Sequence, residues 1–273
     1  MMKLVKLVVV VLPLAFCWQE AGANPVVECE HAKLNTEDAT PLDPGGVEIS
    51  FSYGLTQSRR VFGGTWGRRP RGYLREEGYE IGVKYGLAED LDIGFGLGYA
   101  SVYDRDGDHL TGHGWTDLAV GAKWRFYHDE EGGLEIAYTP AVSFPTGENE
   151  ATDDFFNIFN GIAVSKDWTD RLTSNFDLGY NQAVGGHRNE FQGTLSLNAA
   201  LGYHITQCFQ PEIELNYAHD FNHGSDGDLL AVTCGCILCI HENVRVDLGV
   251  QQALTGRHVD MGTSFLGAVT FTY

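Results

Sequence analysis

Through Leu91–Tyr99 (LDIGFGLGY) every second residue is apolar: Leu91, Ile93, Phe95, Leu97 and Tyr99 alternate with Asp92, Gly94, Gly96 and Gly98. A side-chain period of two puts these sets on opposite faces of a strand. The same pattern sets Tyr79, Ile81, Val83 and Tyr85 against Glu80 and Lys84, and Leu118, Val120, Ala122, Trp124 and Phe126 against Asp117, Lys123 and Arg125. It returns in Leu172–Tyr180, Ile213–Tyr217 and Val244–Val250. Many consecutive strands, apolar on one side and charged on the other, make either a sandwich with a dry interior or a barrel with lipid outside. The chain ends decide between them.

Met1–Ala23 has the layout of a secretory signal: Lys3 and Lys6, a short apolar run Leu7–Phe16, and a small-residue cleavage site at Ala21-Gly22-Ala23. No other apolar stretch is long enough to span a bilayer as a helix, so a membrane role falls to strands. At the far end Phe265, Val269, Phe271 and Tyr273 share one face, and a last strand closing on an aromatic residue matches an assembly signal of outer-membrane barrels. The expected fold is therefore all-β, a transmembrane antiparallel up-and-down barrel of about twelve strands, each about ten residues long. Its divisions are a signal peptide (1–23), a periplasmic tail or plug-like lead-in (24–46) marked by Pro25, Pro41 and Pro44, and the barrel (47–273).

The connections mostly alternate in length, as tight periplasmic turns and longer external loops do. Short ones fall at Ala88–Asp90, His128–Gly133, Asp167–Arg171, Thr206–Gln210 and His241–Asn243; longer ones at Asp104–Gly114, Gly147–Asp154, Gly185–Glu190 and Phe221–Asp228, with a further short one at Leu254–His258. Ser58–Glu77, holding Arg59, Arg60, Arg68, Arg69, Arg71 and Arg75, reads as a long first external loop that meets lipopolysaccharide phosphates or is simply solvated. An even strand count places both termini in the periplasm. With 18 basic against 37 acidic residues the chain lacks the basic face that nucleic acid requires.

Tyr85-Gly86-Leu87 with Glu89–Gly94, Thr116–Arg125, and Phe144-Pro145-Thr146-Gly147 together resemble the outer-membrane family named for the MetA pathway of phenol degradation. The likeness extends more loosely over Thr40–Tyr273. It implies an outer-membrane channel or transporter that passes small, aromatic or apolar molecules by passive diffusion, with no catalytic residues and no cofactor. Its partners would be outer-membrane lipid and lipopolysaccharide, the barrel-assembly machinery through Tyr273, and the solute.

The inward faces supply the candidate site. Glu48, Glu80, Asp92, Asp117, Glu135, Asp177, Glu212, Glu214 and Asp247, with Lys84, Lys123, Arg125 and Arg245, are expected to line the lumen. Their carboxylate excess either favours cations in an open pore or is consumed by pairing inside a closed structural barrel. Cys208 and Cys239 fall at the periplasmic ends of strands on either side of one hairpin, where an oxidising compartment permits a disulfide; Cys29 leaves the mature count odd. Cys234, Cys236, Cys239 and His241 carry metal-binding residue types, but Cys234 and Cys236 fall on the lipid face, where small apolar packing is the better reading. Asp104, Asp106, Asp108 and His109, and His223, Asp226 and Asp228, are solvated acidic loops without the glycine and distal glutamate of a calcium loop. The rival class is a barrel enzyme of protease or lipase type, with His219-Asp220 and His223 as an acid–base pair at the external rim.

Overall fold

A computed structural model describes residues 32–105, 111–148, 152, 155–185 and 191–273. The signal-like segment and Cys29 lie outside the described residues. The strands are β1 (Val47–Phe62), β2 (Arg68–Ala88), β3 (Leu91–Asp104), β4 (Gly112–Trp115), β5 (Leu118–Asp129), β6 (Leu134–Phe144), β7 (Phe156–Thr169), β8 (Leu172–Val184), β9 (Phe191–Tyr203), β10 (Phe209–Asn222), β11 (Gly227–His241), β12 (Val244–Arg257) and β13 (Val259–Thr272).

Each long strand pairs antiparallel with the next, β3 with β5 across the short β4, and β13 pairs with β1, so the sheet closes on itself. Twelve strands form the wall. The thirteenth is a fragment: β4 and β5 both lie along β3, at Tyr99–Val102 and Leu91–Gly96 respectively, as one strand interrupted at Thr116-Asp117. The interruption is bridged by Thr116, whose backbone N–H donates to the Gly98 carbonyl and whose hydroxyl accepts from the Gly98 N–H, both at 2.9 Å. The Val47 and Tyr273 backbones exchange two hydrogen bonds at 2.9 and 2.8 Å, so the seam runs to the last residue.

The period of two resolves as lipid outside. Phe51, Tyr79, Phe95, Trp124, Leu215 and Phe265 are 47–53% exposed on the outer surface, whereas Asp92, Lys123, Asp177, Glu212 and Glu214 are at most 7% exposed inside. A water-soluble sandwich would show the reverse.

Two expected connections are in fact strand. The arginine-rich segment is not a loop: β1 and β2 run on as a paired ribbon past Ser58/Leu74 to Phe62/Arg68, leaving a turn of residues 63–67. Opposed charges and ring contacts hold it. Arg71 bridges Asp104 of β3 at 2.7 Å and Asp260 of β13 at 2.5 Å, and Arg59 and Arg68 lie over the Tyr73 and Phe62 rings. Likewise, the expected Leu254–His258 connection contracts to His258 alone, in left-handed conformation (φ 54°) between β12 and β13.

Candidate functional site in the barrel lumen

The described part of the N-terminal segment is a plug inside the barrel, not a tail in the periplasm. From residue 33 to residue 42 it winds around the inner wall past β10, β8, β7, β6, β5 and β3 in turn. Most of its wall contacts come from its own backbone. Leu34 N–H donates to Glu212 and Glu214, Glu37 N–H to Asp177, Ala39 N–H to the Ser165 hydroxyl and Leu42 N–H to Asp92, all at 2.9–3.1 Å. Side chains add Thr40 to Glu135 at 2.5 Å, Lys123 to Asp38, and Lys123 to Glu37 at 3.0 Å. A segment without secondary structure has unused N–H groups, and buried carboxylates need donors; each satisfies the other.

The tightest point is Glu214. Its carboxylate accepts from the successive backbone N–H groups of Leu34, Asn35 and Thr36, an anion-binding concavity of consecutive amides. The Asn35 amide extends this into a polar network through Thr233, Asn216 and Gln251 on β10–β12. Beside it Leu34 is the plug's apolar anchor, seated on the paired glycines Gly235 and Gly249 of β11 and β12. A methyl group on Gly249 would lie 2.6 Å from Leu34 Cδ1 and clash with nothing else within 3.4 Å. Gly249→Ala is therefore expected to unseat Leu34 and speed amide hydrogen exchange at Leu34–Thr36 by about ten-fold or more, with barrel strands unchanged. Unaltered exchange there would show that this seat does not hold the plug.

The charged residues predicted for the lumen divide into three groups. Asp92, Lys123, Glu135, Asp177, Glu212 and Glu214 bind the plug. Glu48, Lys84, Arg245 and Asp247 form a chain of ion pairs near the seam, with Lys84–Glu48 at 3.5 Å, Arg245–Glu48 at 3.9 Å and Arg245–Asp247 at 3.2 Å. Arg125 pairs with Asp90 and Glu135 at the short-turn end. Asp117 departs from expectation: it sits at the β4–β5 interruption and accepts from Gly147 N–H at 3.0 Å, tying a loop. Glu80, exposed on the inner face of β2, makes no hydrogen bond or ion pair among the described residues.

The expected Cys208–Cys239 bridge is not made. Cys239 is disulfide-bonded, whereas Cys208, Cys234 and Cys236 keep their thiols. The Cys208 and Cys239 backbones do meet, at 3.1 Å, so the strand ends are neighbours as read; covalent pairing goes elsewhere. The two other cysteines of the chain, Cys17 and Cys29, both lie upstream of the plug. Non-reducing peptide mapping is expected to find Cys239 in a cross-link that does not include Cys208. A Cys208–Cys239 cross-link would contradict this.

At the opposite, loop-bearing end the His219-Asp220 pair does not exist. His219 Nδ1 lies 2.8 Å from Asp228, which also accepts from Tyr217 and Arg257, while Asp220 accepts from Thr194. Asp104 belongs to the Arg71 bridge; Asp106, Asp108 and His109 lie outside the described residues. Among the described residues no group of His, Cys, Asp or Glu is arranged to hold a metal.

Beside the plug, sequence reasoning missed one residue. Phe159 points inward from β7 and lies down on the paired glycines Gly161 and Gly179, whose added methyls would fall 2.8 and 2.5 Å from its ring atoms. It lines a cavity of about 390 Å³ bounded by Asn35 and Glu37 of the plug and, further round the wall, by the bare backbone of Gly82, Gly94, Gly96 and Gly121. Counting inward positions back from Ser165 through Ala163 and Gly161 would have found it.

A closed antiparallel barrel with an apolar outer belt, a polar lumen and an inserted N-terminal segment has the architecture of Gram-negative outer-membrane channels and porins. The chain belongs to the family described as "Putative MetA-pathway of phenol degradation", whose profile matches residues 42–263. In structure it is similar to the COG4313 outer membrane channel from Pseudomonas putida F1 (TM-score 0.77, 11% identity, 88% of this chain and 100% of that one). It also resembles the NanC porin (0.53, 9%, 82% and 98%) and the KdgM porin in complex with disordered oligogalacturonate (0.51, 10%, 83% and 99%). A comparison with curated protein sequences returns no match.

Proposed function

We propose that the protein is an outer-membrane channel through which small solutes diffuse passively, its bore set by its own N-terminal segment. The observation that carries this reading is the cavity beside the plug. The plug is bound along β10 to β3 by its backbone, yet glycines on β2, β3 and β5 leave space on its free side. The signal-like segment 1–23 directs export, Tyr273 presents its outward ring to the assembly machinery, and the arginine ribbon of β1–β2 meets lipopolysaccharide phosphates.

Selectivity falls to few groups, because the acids at Asp177, Glu212 and Glu214 are occupied by plug amides. Glu80 remains available and favours cations. The acidic lining argues against anionic saccharides such as the oligogalacturonate of the KdgM complex. An enzyme is the weaker reading: His219 is engaged by Asp228 in a cluster that ties Tyr217 and Arg257, the arrangement of a structural rim. Planar-bilayer conductance of the refolded mature protein is the test. Small discrete steps with cation preference are expected; a silent bilayer from folded protein would overturn the channel reading.

A further inference from the structure

We propose that the cavity beside the plug is a solute-binding subsite for a small organic cation with an apolar ring, with Phe159 and Glu80 as its specificity-determining residues. The inference rests on the channel reading and deepens it. Two observations carry it independently.

The first is Phe159. The other inward-facing side chains that line this cavity are charged, amide, hydroxyl or small, so the phenyl ring is the one large apolar group among them. The ring is not spent on core packing, because glycines beneath it at 161 and 179 let it lie against the wall with its other side toward the cavity. An aromatic face held flat on backbone is a stacking platform for planar or cyclic apolar groups, and it attracts cations.

The second is Glu80. It lines the same cavity from β2, with its Oε1 over Gly96, four strands round the wall from β7. The neighbouring acid Asp177 is bonded to plug and wall, but Glu80 has no partner among the described residues and is exposed to the lumen. An unpaired carboxylate facing an aromatic platform across a space of about 390 Å³ fits a ligand that carries a ring at one end and an ammonium at the other. The two lysines lining the same cavity do not cancel it: Lys123 is held by Asp38 and Glu37, and Lys84 faces Glu48 at 3.5 Å. Both groups line the space that the plug leaves beside it, so a solute using that space meets them.

The test uses benzylammonium as probe, with methylammonium (charge without ring) and benzoate (ring with opposite charge) as controls, on potassium current through the refolded protein. Millimolar benzylammonium is expected to reduce the current, and the two controls to leave it unchanged. Glu80→Gln should raise the half-blocking concentration about ten-fold, and Phe159→Leu about five-fold while keeping the bulk of the side chain. Equal block by methylammonium, or unchanged block in both variants, would overturn the proposal while leaving the channel intact. Should the parent carry no current, the channel reading fails; calorimetric titration of benzylammonium into parent and Glu80→Gln protein then decides the subsite, absence of saturable, Glu80-dependent binding refuting it. Glu80 is exposed and unpartnered, so that variant folds even if the Phe159 variant does not.

Discussion

Removing residues 32–42 while keeping Asp43 onward is expected to raise single-channel conductance several-fold and to make the pore more cation-selective. Both effects follow from the same contacts. The plug occupies the lumen between β10 and β3, so its loss widens the path. Its backbone amides, together with the Lys33 ammonium near Glu212 and Glu214, also offset the charge of Asp177, Glu212 and Glu214, and their loss returns those carboxylates to the pore field. Reversal potentials in a salt gradient report the second effect separately from the first. Unchanged conductance would mean that the plug leaves the lumen when the channel works.

Glu214→Ala should have the largest effect of any single substitution. The N–H groups of Asn35 and Thr36 lose their acceptor and that of Leu34 keeps only Glu212, and each buried donor left unpaired costs about 1–3 kcal/mol. The plug's deep end is then expected to detach, seen as noisy, enlarged currents and as protease cleavage near Leu34. Glu214→Gln, which keeps an acceptor oxygen but removes the charge, should fall between parent and Ala variant. A Glu214→Ala protein with parental current and protease resistance would mean that Glu212, which shares the Leu34 amide, suffices to hold the segment.

Much of the wall was legible because lipid imposes a strict rule: each strand must alternate, and Tyr79–Tyr85 and Leu91–Tyr99 do so without exception, Leu172–Tyr180 with only Ser174 out of place. The first hairpin was not legible, since the charges from Arg59 to Glu77 look like solvated loop when their cross-strand partners, Asp104 and Asp260, are distant in sequence. The lumen residues were mostly found, but their work was not. Carboxylates lining a pore and carboxylates holding a plug are the same residues in the same register; what separates them is the backbone N–H of Leu34–Thr36, and main-chain donors leave no trace in residue type. Leu34 itself is unremarkable until Gly235 and Gly249 are seen opposite. The disulfide could not be assigned because strand ends that are neighbours, as those of Cys208 and Cys239 are, need not be covalently joined.

The contact between Asn35 and Thr233 spans nearly the whole described chain, and it lies on the far side of the β1–β13 seam from the strand that follows the plug. During biogenesis the seam is the pairing with the greatest loop-closure entropy, since it must join the first strand to the last. A segment that precedes β1 yet grips β10–β12 shortens that closure: with Asn35 on Thr233, the loop left to close runs only from β11 to β13. The contacts that seat the plug in the finished barrel are thus also contacts that lower the entropy cost of its seam.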